Sequence, residues 1–243
     1  MLQKNSDLLY TSSVLASCHG IAHGFSTRSS GDMRIEDKRN AFARLIGLSD
    51  RSVYLPEQIH GNTVVTIGSD TPERVMGADG IVLGKDNLKK LALGVIVADC
   101  VPLIFADRKG TSIAVAHAGW RGTVGCIAEE VVDQMVKLGS RPSDIMVSIG
   151  PHIGRCCYVV PEERGKKFID VFGSDERIMY QSGGLWYMDI GYANMVSLMR
   201  VGVKQSHIDI PITCTSCQND TFYSYRKDTR ASFGEIIGMV GFL

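Results

Sequence analysis

Three strongly apolar segments follow one another in the middle of the chain, and they limit the possible folds more than any other feature. They are Leu91–Ala98, Val101–Ala106 and Ser112–Ala116, and only Asp99 and Cys100 separate the first from the second. Short apolar runs of this kind are typical of strands that are covered on both faces. The chain therefore predicts a buried β-sheet that contains these segments.

Further helices and strands are predicted around these segments. Thr123–Leu138 repeats apolar residues at intervals of three and four, which indicates an amphipathic helix that begins at Thr123 and ends before Gly139. Other helices are predicted at Asp37–Leu48, Glu162–Phe172 and Tyr192–Met199. Strands or extended segments are predicted at 8–17, Ile21–Ser26, Val53–Ile59, Thr63–Ile67, Ala78–Leu83, Ile145–Ile149, Ile208–Thr213, Thr221–Tyr225 and Ile236–Val240.

The order of these elements predicts the fold class. Strands and helices mix without strict βαβ alternation, which favours an α/β (α+β-like) fold with mixed β-sheets flanked by helices. No internal repeat or Pro/Ser-rich linker divides the chain, so we expect a single layered domain over residues 1–243. Hydrophobic residues make up 44% of the sequence, enough for a sizeable core.

Charge and hydropathy exclude several classes of partner. The 26 basic and 26 acidic residues give a formal net charge of zero, which argues against a broad surface for nucleic acid but allows a local basic pocket. Met1–Tyr10 lacks the pattern of a signal peptide, and no apolar stretch reaches the roughly 18 residues of a membrane span. We expect a cytoplasmic protein without membrane or nucleic-acid partners, and the seven cysteines favour reduced thiols. The oligomeric state stays open.

His60, Cys100 and His117 each lie in a short polar break beside an apolar run. Strand ends are where a sheet presents chemistry. Two imidazoles and one thiolate are good zinc ligands, and three protein ligands leave a tetrahedral position open, as in catalytic sites. The three residues match no short metal-binding motif, however, so spacing alone leaves open a buried thiol and structural histidines. A fourth ligand such as Cys156 or His152 would instead close the site and indicate a structural metal.

Polar residues beside these three suggest further roles. A carboxylate in so apolar a stretch needs a partner, so Asp99 either orients a ligand histidine or accepts from buried backbone donors. The turn from His117 leads into a predicted helix, where backbone N–H groups and Arg121 could hold an anion. His152 follows Gly150–Pro151 and lies either in a pocket or in an exposed turn.

Four other cysteines form weaker patterns. Cys214 and Cys217 have CxxC spacing, which allows redox chemistry or metal binding. No second CxxC accompanies them, which favours two ordinary thiols near a strand end. Cys156 and Cys157 are adjacent, and their geometry disfavours a bridge between them. We interpret Cys156 as a pocket wall rather than a ligand.

Six short segments together resemble a known family. In chain order they are His23–Arg28, Gln58–Gly61, Ala78–Gly80, Ala98–Pro102, Ala116–Gly122 and Ile149–Ile153. They resemble the laccase-domain, or YfiH-like, family of purine nucleoside phosphorylases, formerly called multicopper polyphenol oxidases. The resemblance runs from about His23 to Arg226, which is most of the chain.

The resemblance implies a site and an activity. It implies one zinc ion held by His60, Cys100 and His117 in a single-domain layered α/β fold. It also implies phosphorolysis of adenosine, inosine, guanosine and methylthioadenosine, with adenosine deamination as a further activity. Substrates would be a purine nucleoside and phosphate.

Roles for the remaining residues follow from this chemistry. Guanidinium groups suit phosphate oxygens, so Arg28, Arg121 and Arg226 are predicted to bind phosphate, and His152 to contact substrate. Cys100, His117 and Asp99 are predicted as the catalytic set.

Two alternatives to this activity follow from the same residues. The first is a metal-free hydrolase with Cys100 as nucleophile and a histidine as base. The second is a copper-dependent polyphenol oxidase, which we disfavour because six histidines are few for several copper ions.

Overall fold

A computed structural model describes residues 1–68, 71, 75–86, 90–211 and 213–243. Within these ranges the strands are β1 Leu2–Ser6, β2 Leu9–Ser12, β3 Ile21–Ser26, β4 Ser52–Tyr54, β5 Val64–Ile67, β6 Gly80–Gly84, β7 Leu91–Val97, β8 Val101–Asp107, β9 Ser112–Ala118, β10 Ile145–Ile149, β11 Val159–Val160, β12 Met179–Ser182, β13 Leu185–Met188, β14 Ile208–Asp209 and β15 Ile236–Phe242. The α-helices are α1 Glu36–Leu45, α2 Trp120–Val124, α3 Ile127–Lys137, α4 Glu162–Phe172 and α5 Ile190–Arg200.

The strands form two larger mixed sheets and one small sheet. The first sheet has the order β1-β2-β3-β15-β7-β4, and the second has the order β14-β10-β8-β9-β6-β5. Parallel pairs (β4 with β7, β5 with β6, β10 with β14) occur among antiparallel ones in both. The small sheet, β11-β13-β12, is antiparallel. The predicted α/β fold with mixed sheets is confirmed.

The two large sheets pack face to face, and helices cover their outer faces. Leu93 and Val95 of β7 share one buried cluster with Ile104 of β8 and Val115 of β9, which joins the two sheets. On the far side of the second sheet, α3 and α5 bury residues such as Val131 in a second cluster. Helix α1 packs on the first sheet. The apolar segments are strands as predicted, but β7 belongs to a different sheet from β8 and β9, so the chain crosses between sheets at Asp99 and Cys100.

The predicted helix over 123–138 is interrupted and begins earlier than its pattern indicates. Helix α2 begins at Trp120, and Cys126 has a left-handed backbone with φ 58° that separates α2 from α3. Asn62 occupies the break, where its side-chain amide donates to the Gly125 carbonyl at 2.7 Å. Thr123 lies inside α2 and donates its hydroxyl to the Gly119 carbonyl, so it is not the N-cap.

Other predicted strands are shorter than their patterns, and one is absent. Thr221–Tyr225 is a turn region, in which Phe222 is buried against Tyr10 with ring centroids 5.4 Å apart. The apolar and polar alternation there reflects burial of single side chains and not strand pairing. Segment 8–17 forms β2 followed by a 3-10 turn. Of Ile208–Thr213, only β14 is a strand, and residue 212 lies outside the described ranges.

No helix within the described ranges is both long enough and apolar enough to span a membrane.

Candidate active site

The structure brings His60, Cys100 and His117 together as a possible metal site. His60 lies in the loop before β5, Cys100 at the crossing from β7 to β8, and His117 near the end of β9. Their ligand atoms all lie within 4.8 Å of one another. The two imidazole rings are 4.7 Å apart and nearly perpendicular, with an interplanar angle of 88°. His117 is buried and His60 is exposed, so the group is open on one side.

Asp79 connects two of these three residues from behind. The buried carboxylate of Asp79 accepts a hydrogen bond from His117 Nδ1 at 2.8 Å and from the His60 backbone N–H at 2.9 Å. It also accepts from the Gly61 N–H at 2.6 Å. An ionised carboxylate can only accept, so the proton lies on His117 Nδ1, and Nε2 is left to face the other ligands.

Asp79 therefore fills the orienting role for which Asp99 was one expectation. The sequence pattern could have identified Asp79 as a site residue, because Asp79 also lies in a polar break beside an apolar strand. The register of β6 and β9 pairs Gly80 with Ala116, which brings Asp79 beside His117.

Asp99 satisfies buried donors, the other role predicted for it. Its carboxylate accepts from Thr215 Oγ1 at 2.6 Å, Ser224 Oγ at 3.1 Å and the Arg226 backbone N–H at 2.8 Å. These contacts attach the segment from Thr215 to Arg226 to the crossing that carries Cys100. The backbone of Asp99 is left-handed, with φ 81°, a conformation that costs energy in a non-glycine residue. These contacts give the carboxylate a positioning role.

The loop of His60 is held at a second point. The Gln58 side-chain amide donates to the Ile96 carbonyl at 2.8 Å and accepts from the Ile96 N–H at 3.0 Å. His60 itself has φ 61°, which is also left-handed. The paired contacts to β7 and to Asp79 stabilise this backbone and aim the imidazole at Cys100.

Cys100 and His117 shift each other's pKa values. Burial raises the pKa of the Cys100 thiol, but hydrogen bonds with His117 and His60 outweigh it and lower the pKa to about 7. Burial lowers the pKa of His117, but Asp79 and Cys100 outweigh it and raise the pKa to about 9. The pair favours a thiolate, which is the form of cysteine that binds metals and attacks electrophiles.

These residues form one end of a cleft of about 590 Å³. Such a volume suits a small organic ligand. The lining combines aromatic, apolar and charged side chains: Gln58, His60, Ile96, Val97, Ala98, Asp99, Cys100, His117, Trp120, Arg121, Ile153, Tyr158, Arg164, Ile190, Tyr225, Arg226, Phe233 and Glu235.

Three arginines of the cleft rest on aromatic rings. The guanidinium groups of Arg121 and Arg164 lie 4.6 Å and 4.5 Å from the centre of the Trp120 ring. The guanidinium of Arg226 lies 5.1 Å from the centre of the Tyr158 ring. Among the described residues, no carboxylate forms an ion pair with any of the three. Their charge therefore remains available to an anion in the cleft.

The sequence pattern did not predict a role for Arg164, although its position in the cleft is the one most suggestive of anion binding. Its Nε is buried and has no hydrogen-bond partner among the described residues. Its Nη1 donates to the Tyr158 hydroxyl at 3.2 Å. Arg164 lies in the first turn of α4, whose predicted bounds are confirmed, but the pattern of a surface helix did not distinguish it from a solvent-facing arginine.

Arg28 and His152 lie outside the cleft lining. Both Arg28 Nη2 contacts to Asp228 measure 2.7 Å, and its Nε and Nη1 donate to backbone carbonyls, so most of its donors and its charge are already engaged within the protein. The His152 ring is buried against Gly191, and its Nδ1 pairs with the Gly150 carbonyl at 2.8 Å. Both side chains stabilise loops in this structure, and the substrate contacts expected of them stay a prediction.

A fourth protein ligand does not close the site within the described ranges. His152 does not line the cleft, and Cys156 belongs to a separate group of thiols. Fold and site together define a class: a layered α/β protein in which a His–Cys–His group lies in an arginine-rich cleft. The family model of the multi-copper polyphenol oxidoreductase laccase domain matches residues 22–243, and the chain belongs to this family. The resemblance deduced from the six motifs is thereby confirmed.

Named relatives and solved structures agree with this assignment. The chain is 33% identical to purine nucleoside phosphorylase YlmD of Geobacillus stearothermophilus, over 76% of this chain and 70% of that protein. It is 30% identical to adenosine deaminase RL5 of an unknown prokaryotic organism, over 80% of this chain and 77% of that protein. The crystal structure of YlmD from Geobacillus stearothermophilus superposes with a TM-score of 0.85 at 27% identity, covering 99% of this chain and 98% of that one.

Proposed function

We propose that the protein is a zinc-dependent purine nucleoside phosphorylase that acts on adenosine, inosine, guanosine and methylthioadenosine. One observation carries the proposal: a group of two imidazoles and a thiolate shares a cleft with three arginines that have no carboxylate partner in the part of the chain that the structure describes. The first group suits a metal ion, and the second suits phosphate. The names of the relatives are consistent with this pairing.

The residues present fit a zinc ion. His60, Cys100 and His117 would hold it, since their ligand atoms lie within 4.8 Å of one another and are the nitrogen and sulfur donors that zinc prefers. The contact between Asp79 and His117 Nδ1 leaves Nε2 as the ligand atom, as is usual for metal-bound histidine. Bound there, zinc would polarise a substrate oxygen or lower the pKa of a water molecule.

Phosphate would be bound by Arg121, Arg164 and Arg226. Each guanidinium presents a planar fork that matches two phosphate oxygens, and stacking on Trp120 or Tyr158 limits the directions in which the forks can point. In phosphorolysis a phosphate oxygen forms a bond to C1′ of the ribose while the glycosidic bond breaks. The electron pair of the glycosidic bond leaves with the purine. The arginines would orient the attacking phosphate and neutralise its charge beside the thiolate of Cys100.

The departing purine needs a proton, and Glu235 is placed to hold one. Burial raises the pKa of the Glu235 carboxyl above its usual range, although neighbouring Arg34 lowers it. Glu235 lines the cleft, where its carboxyl could donate to the base. Tyr225 and Phe233 form an edge-to-face pair with centroids 6.0 Å apart, and Tyr225 is 71% exposed. An exposed ring of this kind can stack on a purine.

Adenosine deamination is a second candidate, favoured by the same metal group and by the name of one relative. The metal-free hydrolase remains a third, because the Cys100 thiol has a pKa of about 7 beside His117. The reaction products and the need for metal distinguish these three activities. Phosphorolysis releases adenine and ribose 1-phosphate only with phosphate present, deamination releases inosine without it, and the hydrolase needs no metal. Copper oxidation has no further support, since the chain contains six histidines and only two lie in this group.

The decisive experiment combines product analysis with metal analysis. Purified protein is incubated with adenosine, with and without phosphate, and its zinc content is measured. We expect stoichiometric zinc and phosphate-dependent release of adenine. The His117→Ala variant should lose the zinc ion of the cleft and the phosphate-dependent release of adenine, whereas His19→Ala, which changes an exposed histidine outside the site, should retain both. Phosphate-dependent turnover by His117→Ala protein that holds no zinc in the cleft would refute the proposed mechanism.

A further inference from the structure

A second group of metal-ligand side chains lies apart from the His–Cys–His group. The thiols of Cys156, Cys157, Cys214 and Cys217 come together so that all four sulfur atoms lie within 4.8 Å of one another. Cys217 Sγ lies 3.5 Å from Cys156 Sγ and 3.4 Å from Cys157 Sγ. None of the four lines the cleft. The spacing of the four cysteines in the sequence suggests two separate pairs and does not predict that they converge.

These distances suit a tetrahedral metal site better than a disulfide. Zinc–sulfur bonds of about 2.3 Å in a tetrahedron place the sulfur atoms about 3.8 Å apart. A disulfide needs a separation of about 2.05 Å between two sulfurs only. Cys217 instead contacts two thiols at similar distance, and the other two complete a set of four. Four soft sulfur donors select zinc over hard cations such as Mg²⁺.

The backbone that carries the four thiols is joined independently of any metal. Cys156 and Cys157 follow β10, and Cys214 and Cys217 lie in a turn far along the chain. The Thr215 N–H donates to the His152 carbonyl at 3.0 Å, and His152 forms a parallel bridge with Cys214. The site is therefore preformed, which reduces the entropy lost when a metal binds.

Gly154 leaves room for the close approach of two of the thiol-bearing side chains. A Cβ at this position would lie 3.2 Å from Cys214 Cβ and 3.4 Å from Cys156 Sγ, so the absence of a side chain at Gly154 lets Cys214 and Cys156 lie together.

We propose that Cys156, Cys157, Cys214 and Cys217 bind a structural Zn²⁺ ion, distinct from the ion of the catalytic cleft. Zinc replaces the thiol protons, which are released to solvent, and no electron transfer is involved. The site stabilises one wall of the cleft. Ile153 and Tyr158 line that wall on one side of the thiols, and Thr215 holds Asp99 at 2.6 Å on the other.

Metal counting on variants of the full chain tests the proposal. We expect His117→Ala to retain zinc that Cys217→Ser in the same background loses. Cys126→Ser, which changes a thiol outside both groups, should leave the zinc content of the His117→Ala protein unchanged. Loading the His117→Ala protein with Co²⁺ should produce intense sulfur-to-cobalt charge-transfer absorption, which Cys217→Ser removes.

Two outcomes would overturn the proposal. One is that the His117→Ala protein, shown by circular dichroism to be folded, binds neither zinc nor cobalt whatever number of its thiols is free. The other is wild-type protein in which mass spectrometry under non-reducing conditions finds a disulfide among the four cysteines and zinc does not bind after reduction. Should Cys217→Ser fail to fold, Cys156→Ser provides the same comparison at an exposed position. Loss of the zinc of the cleft alone would contradict the proposed activity but not this site.

Discussion

Replacing Asp79 with Asn tests how the proposed metal site of the cleft is built. The substitution keeps the shape of the side chain but exchanges one carboxylate oxygen for an NH₂ group, which only donates. One oxygen of Asp79 accepts from His117 Nδ1 at 2.8 Å and from the His60 N–H at 2.9 Å, and the other accepts from the Gly61 N–H at 2.6 Å. Whichever way the amide turns, a backbone N–H faces another donor.

The size of the effect follows from these contacts. Leaving a buried backbone N–H without an acceptor costs about 1–3 kcal/mol, so the free energy of unfolding should fall by about that amount. Removing the carboxylate partner of a ligand histidine weakens metal binding by roughly tenfold to a hundredfold. The pKa of His117 should also fall, because Asp79 helps to raise it.

The assay measures zinc affinity by competition with a chelator, and stability by urea unfolding of the metal-free protein. Asp50→Asn serves as the control, since Asp50 is an exposed carboxylate that pairs with Lys90 on the surface. It should match the wild type in both measurements. Zinc affinity and stability of Asp79→Asn that equal those of the wild type would refute the role given to Asp79.

Three further predictions concern phosphate, pH and packing. Arg164→Gln should raise KM for phosphate about tenfold or more, because a charged hydrogen bond to phosphate is lost. The control Arg141→Gln, at an exposed position, should leave KM unchanged. Equal KM values for Arg164→Gln and the wild type would contradict the phosphate site. Burial lowers the pKa of His23 from 6.5 to about 4, so its neutral ring contributes stability that is complete above pH 6.5 and is lost as pH falls toward 4. This loss amounts to about 3 kcal/mol, and His23→Gln should flatten the pH profile of urea unfolding. Gly122→Ala would place a Cβ 2.6 Å from the Gly61 carbonyl oxygen, so thermal unfolding and chelator competition should show lower stability and weaker zinc binding.

Where the sequence pattern of a helix or strand lies within the segment itself, both of its end residues could be predicted. Strands Ile21–Ser26 and Ile145–Ile149 and helix Glu162–Phe172 have the predicted bounds. Ile145–Ile149 is an apolar run that is buried along its whole length, and the helix buries Gly165, Phe168 and Phe172 at intervals of three and four. The break at Cys126 was not predictable from its own segment. It accommodates Asn62, which is distant in sequence, and no local pattern records that contact.

The candidate site likewise contains features that the sequence predicts and features that it does not. Arg121, Arg226 and the three possible metal ligands could be identified by residue type, whereas Arg164 and Glu235 were not predicted. The partners of arginines could not be predicted at all: Arg28 is paired with Asp228, while Arg164 has a buried nitrogen without a partner among the described residues. Asp79 and Asp99 both interrupt apolar segments, and the sheet register alone decides which one contacts His117.

The sequence by itself determined the buried strands and the mixed α/β class, because hydrophobic periodicity is a property of short segments. It also singled out His60, Cys100 and His117 as candidate metal ligands, a prediction that rests on the flanking motifs and not on spacing alone. Only the tertiary structure decided which distant groups meet. Cys156 and Cys217 are separated by 61 positions, and their sulfur atoms come within 3.5 Å because two loops pair through the backbone. Such proximity depends on how the chain crosses between sheets, and that path is set by packing of the whole core.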